Sequence, residues 1–361
     1  MGHAATAGTL FVVTALASAL FVSRAIRLAE ATGWIDTPGA RRAHRLPVPR
    51  VGGVAFFLAF GLGLGLSFAF DVRRFPAETE RLLLLLAGGS LLVGVMAYDD
   101  VVGLSAWWKL GWQVVAAAIV VLPRLQGAEH GIVIERFNPP FGNQVRLPVV
   151  LAIAATLLWI VGFANALNFV DGLDGLAGSV TLVACATLFV HTYFWPRDDP
   201  QFTISLLPLL LGAAVVGFLP FNWHPARVIM GDAGAQFLGF ALAIFAIVGG
   251  AKIAAALLAL GLPALDVAWV VASRTRGGRS PMVADRGHLH HRLIDLGWGQ
   301  RRVVAFIAGV CALFGTAALL LPNRGAKLGA IVLVGVVLAT TVAAAARGAR
   351  RVGPVDTTDD R

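Results

Sequence analysis

Charge is what this sequence has least of: only 14% of its 361 residues are Asp, Glu, Lys or Arg, against about one quarter in an ordinary soluble domain. With 58% hydrophobic residues and a mean hydropathy of +0.79, that scarcity excludes a soluble globule. Cysteine is almost missing too. Cys185 and Cys311 both lie inside apolar runs, which excludes a disulfide framework or a thiolate metal site and leaves them as small buried hydrophobes. No basic leader precedes the first apolar run, which ends in Arg24 and Arg27, so it is expected to be a retained anchor helix. No basic stretch is interleaved with aromatics, so the net charge of +9 points away from nucleic acid. An internal repeat is also lacking, which withholds support from an inverted-repeat transporter.

Long apolar stretches are abundant. A hydrocarbon core about 30 Å thick needs roughly 20 apolar residues per helix, and such runs predict about eleven spans. They fall near 5–27, 51–70, 81–98, 108–123, 147–163, 176–195, 202–219, 234–250, 253–273, 302–321 and 326–346. The expected fold is an all-α polytopic membrane bundle, a single domain over 1–361 with a disordered tail from 346 to 361. An odd number of spans puts the termini on opposite sides. One set of loops carries 17 Lys or Arg and the other 10, so the excess of basic residues predicts an outer N-terminus and a cytoplasmic C-terminus. Segment 124–146, with Asn138, Pro139, Pro140 and Gly142 between β-prone pieces, predicts a small hairpin on the outer side.

A charged side chain at the centre of a membrane helix costs roughly 2.5–3.5 kcal/mol, so acidic groups gathered at helix ends invite a search for a shared purpose. The predicted cytoplasmic side collects Asp36, Asp99, Asp100, Asp171, Asp174, Asp232, Asp285 and Asp295, with Asn165, Asn168, Lys109, Arg286, His288, His290 and His291. The adjacent Asp99 and Asp100 repel each other unless a cation or a donor stands nearby, a role for Mg2+ or Lys109. NALNFVDGLDGLAG packs two amides, two carboxylates and three glycines into fourteen residues, which suits a hard cation and phosphates. Asp232, between Gly231 and Gly234, opens an apolar helix whose N-terminus favours anions, and either caps that helix or binds a metal. The stretch DRGHLHHRL sets three histidines beside Arg286 and Arg292. Arginine neighbours repel a dication, so phosphate binding is favoured over zinc. Arg50 and His44 belong to a basic loop, ARRAHRLPVPRVGG, that suits anionic headgroups.

Five blocks in order resemble the polyprenyl-phosphate N-acetylhexosamine-1-phosphate transferases: RxxH…PxPRxGG at 41–53, DDxxGL with a following lysine at 99–109, NxxNxxDGxDGLAG at 165–178, GDxG at 231–234 and DRxHLHH at 285–291. Short spacing between Asp100 and Lys109 is similar to the bacterial undecaprenyl- or decaprenyl-phosphate GlcNAc-1-phosphate transferases. It is less like the phospho-muramoyl-pentapeptide translocase.

The resemblance implies a bacterial inner-membrane, multi-pass enzyme with its active site on the cytoplasmic face. It would move N-acetylhexosamine-1-phosphate from a UDP-sugar to polyprenyl phosphate, release UMP and start an envelope polysaccharide. Mg2+ is the implied cofactor, with Mn2+ a second candidate, and a homodimer is compatible with the family. Asn168, Asp232 and Asp171 are the implied metal ligands. Asp99, Asp100 and Lys109 would handle the phosphates. Asn165, Asp174, Gly231, Arg286, His288, His290, His291, Arg50 and His44 would contact substrate. The rival class is an ion-coupled secondary transporter, which needs charged groups near mid-membrane with access from both sides.

Overall fold

The computed structural model describes residues 2–33, 48–137, 143–194, 201–249, 256–257, 260–276, 288–321 and 323–351. Each of the eleven predicted spans carries a helix there: α1 (His3–Thr32), α2 (Gly52–Leu66), α3 (Pro76–Val102), α4 (Ala106–Val121), α5 (Val149–Val170), α6 (Leu176–Phe194), α7 (Phe202–Asn222), α8 (Gly231–Val248), α9 (Gly261–Arg276), α11 (Gln300–Leu320) and α12 (Arg324–Arg351). Among the described residues nine of these are long and apolar enough to cross a membrane. Part of the predicted span at 253–273 lies outside the described residues, and α12 carries an apolar stretch over Gly325–Val337. A short helix, α10 (Leu289–Asp295), forms inside the segment read as a basic loop. α12 runs to Arg351, five residues beyond its predicted end, and the rest of the expected tail lies outside the described residues.

Local sequence sets the helix ends. Pro76 opens α3 at a position where its missing N–H costs nothing, and Glu78 accepts the Phe75 N–H at 3.0 Å. Gly103, at φ +74°, closes the same helix. α8 is the hub, buried along almost its whole length and packed on α2, α3, α5, α6 and α7. Small residues let the backbones meet there: a Cβ on Gly53 would strike the Gly234 backbone, and one on Gly239 would strike the Phe163 carbonyl. Without a hydrophobic drive between helices in lipid, such close packing supplies the cohesion. Buried hydrogen bonds add to it, with Ser18 Oγ donating to the Ala214 carbonyl at 2.6 Å and Trp159 Nε1 to the Ala243 carbonyl at 3.1 Å.

The bundle has two unlike ends. One carries the predicted hairpin, where Arg136 pairs with Arg146 and Phe137 with Val145 in a two-residue antiparallel ladder. Beside it Glu80 accepts the Gly131 N–H at 3.1 Å and lies 2.7 Å from His130 Nδ1. The other end gathers the acidic, amide and histidine motifs.

Candidate active site

Successive residues of a helix point about 100° apart, so Asp99 and Asp100 at the end of α3 face different neighbours. Asp99 accepts the Leu104 N–H at 2.6 Å, just past the Gly103 turn, and ion-pairs with Lys109 Nζ at 2.5 Å. The same ammonium lies 2.8 Å from Asp232 Oδ2, so Lys109 bridges two carboxylates from α3 and α8. Asp100 turns to the start of α8, accepting the Asp232 N–H at 3.0 Å and the Ala233 N–H at 3.4 Å, with Arg50 Nη1 at 3.3 Å. A carboxylate in that position satisfies orphan N–H groups and meets the positive end of the helix dipole. Gly231 makes the seat: its φ is +69°, and any Cβ there would collide with the Asp100 carboxylate.

α5 ends at Val170, and the DGLDG turn leads into α6. Asp174 takes the Ala226 N–H at 3.2 Å and lies 2.7 Å from His224 Nδ1, which ties the turn to the α7–α8 connection. Arg301 Nε donates to the His224 carbonyl at 2.8 Å, and Asn222 Oδ1 accepts the Gly175 N–H at 3.0 Å. His224 and Asn222 had no signal in the sequence, because each is a lone polar residue beside an apolar run. Asp171 is partly buried. Burial first, then the Asp232, Asp100 and Asp174 carboxylates, push its carboxyl up to about 7, with Arg50 opposing. Asn168, half-buried, precedes it by one turn of α5.

The histidines stand against this turn. His290 is buried with its Nε2 aimed at Gly172, where a Cβ would meet it, and that nitrogen has no hydrogen-bond partner among the described residues. Burial, followed by His291 and His288, lowers its pKa well below the ordinary value, so it stands neutral. His288 donates from Nδ1 to Asp266 Oδ2 at 2.9 Å, while Asp266 Oδ1 accepts the Leu289 N–H at 2.9 Å. Asp266, on α9, was not singled out in the sequence. The rings of His288 and His290 stack 5.6 Å apart, and those of His290 and His291 lie 4.3 Å apart. His44 and Arg286 lie outside the described residues.

Asn165 turns inward, one turn below Asn168. It donates to Gln113 Oε1 at 2.6 Å and to the Val161 carbonyl at 2.8 Å. Gln113 Nε2 donates to Asn165 Oδ1 at 3.3 Å and to Gln236 Oε1 at 2.9 Å. Interhelical amide bonds of this kind contribute about 0.6–2 kcal/mol each in a membrane.

Among the described residues no group of three or more His, Cys, Asp and Glu side chains has a metal-holding arrangement. The donor chemistry nevertheless suits a hard divalent cation. Asp232, Asp171 and the Asn168 amide offer oxygen ligands, and the Asp171 carboxyl is raised chiefly by burial and next by the Asp232 carboxylate beside it.

Residues 82–250 match the description glycosyl transferase family 4. The chain is 32% identical to the decaprenyl-phosphate N-acetylglucosaminephosphotransferase of Mycobacterium tuberculosis, over 90% of this chain and 86% of the relative. It is 28% identical to the undecaprenyl-phosphate alpha-N-acetylglucosaminyl 1-phosphate transferase of Yersinia pestis, over 81% and 78%. It is 30% identical to the phospho-N-acetylmuramoyl-pentapeptide-transferase of Carboxydothermus hydrogenoformans, over 75% and 83%.

Proposed function

Because this chain belongs to glycosyl transferase family 4, we propose that it transfers N-acetylglucosamine-1-phosphate from UDP-GlcNAc to polyprenyl phosphate, releasing UMP and starting an envelope polysaccharide. The coarser activity, a sugar-phosphate transfer to a polyprenyl phosphate, is common to the M. tuberculosis and Y. pestis relatives by name. The excess of basic loop residues favours the cytoplasmic face of the inner membrane for the reaction. The observation that carries the reading is the meeting of Asp99, Lys109 and Asp232 from three helices at one end of the bundle. Groups clustered at one end suit a reaction at the membrane surface better than ion-coupled transport.

In the proposed reaction a lipid phosphate oxygen bonds to the β-phosphorus of the donor, and the bond from that phosphorus to the α–β bridging oxygen breaks. The electron pair leaves with UMP. A phosphate monoester has a second pKa near 6, so the acceptor enters mostly as a dianion and UMP leaves as one, and no strong base is required. Asp99 and Asp100 accordingly serve as positioning groups. Both carboxylates already have partners within the chain: Asp99 holds Lys109, and Asp100 holds the start of α8. Positioning and electrostatic balance supply most of the catalysis in phosphoryl transfer.

Asp232, Asp171 and Asn168 would hold Mg2+, which when bound supplies Lewis-acid neutralisation of the diphosphate. His290 and its neighbours close the DGLDG turn from the other side, and the neutral, unpartnered Nε2 of His290 offers a hydrogen bond toward a ligand.

The test is UMP release by purified protein given polyprenyl phosphate, Mg2+ and a panel of UDP-GlcNAc, UDP-GalNAc and UDP-MurNAc-pentapeptide. UDP-GlcNAc is expected to be turned over fastest. Preference for the pentapeptide donor would reassign the chain within the family, and ion-driven uptake without UMP release would sink the transferase reading. Asp232→Ala should abolish transfer while the protein stays folded in the membrane; full activity in that variant would remove Asp232 from the site.

A further inference from the structure

The site end of the bundle is underlain by a polar layer that the chemistry above leaves unused. Gln113 and Gln236 are 3% and 1% exposed, and with Asn165 they link α4, α8 and α5 through three interhelical hydrogen bonds. The pair between Gln113 and Asn165 is reciprocal, each amide donating to the other. Side chains three or four residues apart share one helix face. Gln113 lies four residues after Lys109, Gln236 four after Asp232, and Asn165 three before Asn168. Each member of the layer therefore sits one turn beneath a residue assigned to the site. Rotating any of these helices enough to misaim its site residue would break an amide pair, buried between Gln113 and Gln236 and part-buried between Gln113 and Asn165.

We propose that Gln113, Asn165 and Gln236 are positioning residues: they form a register lock that fixes the rotation of α4, α5 and α8, and so aims Lys109, Asn168 and Asp232 into one site. Buried polar groups set register by excluding the alternatives, since a slipped helix leaves an unpaired amide. Asn165 was expected to bind substrate; in this assignment it acts through Gln113. The inference rests on the transferase reading and specifies what holds that site in shape.

The experiment compares Gln113→Leu, Gln236→Leu, the Gln113→Leu/Gln236→Leu pair and Asn165→Ala in purified full-length protein. UMP release gives kcat and KM for the UDP-sugar, spin-resonance titration gives Mn2+ affinity, and thermal unfolding reports integrity. A lock predicts that kcat falls about 10- to 100-fold, the scale of an ångström-sized misplacement, with KM changed by less than about threefold. Mn2+ affinity should weaken in parallel. The paired variant should lose no more than the worse single one, because both break the same lock.

Unchanged kcat and Mn2+ affinity in Gln113→Leu would overturn the proposal. So would Asn165→Ala raising KM alone, which marks a direct substrate contact. If a leucine variant unfolds, Gln113→Asn, which keeps the amide but shortens its reach, must show the same kcat loss in folded protein or the lock is refuted. Wild-type protein that binds Mn2+ but releases no UMP from any donor removes the transferase reading, and the Mn2+ affinities of the variants then decide the lock by themselves.

Discussion

Replacing Lys109 with methionine keeps most of the side-chain length and removes the one charge that bridges Asp99 and Asp232. Breaking a fully buried pair by deleting one partner costs about 3–5 kcal/mol. Only the Asp99 end is fully buried, at 3% side-chain exposure. Asp232 is 23% exposed, so water screens that end to roughly 1 kcal/mol or less. Asp99 also keeps its bond from the Leu104 N–H. The net cost of Lys109→Met is therefore about 2–3 kcal/mol. At roughly 2–4 °C per kcal/mol for a large domain, the melting temperature should fall by about 5–10 °C.

The control is Asp99→Asn added to Lys109→Met: the amide still accepts the Leu104 N–H and carries no charge to strand. It should recover most of the lost melting temperature while turnover stays low, because Asp232 has lost its clamp. Thermal unfolding in detergent and UMP release read the two effects separately. Lys109→Met with an unshifted melting temperature, or a double variant as unstable as the single, would refute the electrostatic account of this bridge.

The Asp171 carboxyl, pushed up to about 7 chiefly by burial and next by Asp232, gains its proton as pH falls through that value. Cation ligands must be deprotonated, so the Mg2+ concentration giving half-maximal turnover should rise about tenfold per unit below pH 7; a flat value between pH 6 and 8 would contradict this. A raised carboxyl pKa stabilises the fold below its ordinary value, and that stability is lost as pH rises through about 7. Protein without a divalent cation should thus melt lower at pH 8 than at pH 6, with Mg2+ raising the melting temperature most at pH 8. Gly231→Ala forces an L side chain to φ +69° and pushes a methyl into the Asp100 carboxylate. It should cost at least about 1 kcal/mol and most of the turnover, measured by unfolding and UMP release together; wild-type behaviour would show that the start of α8 repacks without penalty.

Much of this protein is legible in its linear order, because a bilayer rewards a simple pattern. Every backbone polar group in hydrocarbon must be satisfied within its own segment, so long apolar runs announce helices, and each of the eleven predicted segments carries a helix among the described residues. The chemical motifs were also readable, since carboxylates, amides and histidines stand out as dense polar blocks between long apolar runs.

What the order of residues could not disclose was partnership. Asp174 and His224 are 50 positions apart, Asp266 and His288 22, Gln113 and Gln236 123. A single glutamine in an apolar run has the same local signature whether it faces lipid, a cavity or another amide. Sequence by itself determined that this chain builds a bundle of apolar helices whose acidic, amide and histidine motifs fall between the apolar runs. The tertiary structure alone decided that Lys109 joins Asp99 to Asp232, that Asp100 seats the start of α8, and that Asn165 faces Gln113. The reason is that hydropathy is a property of each residue, whereas pairing in a low-dielectric interior depends on which helix faces the fold brings within about 3 Å.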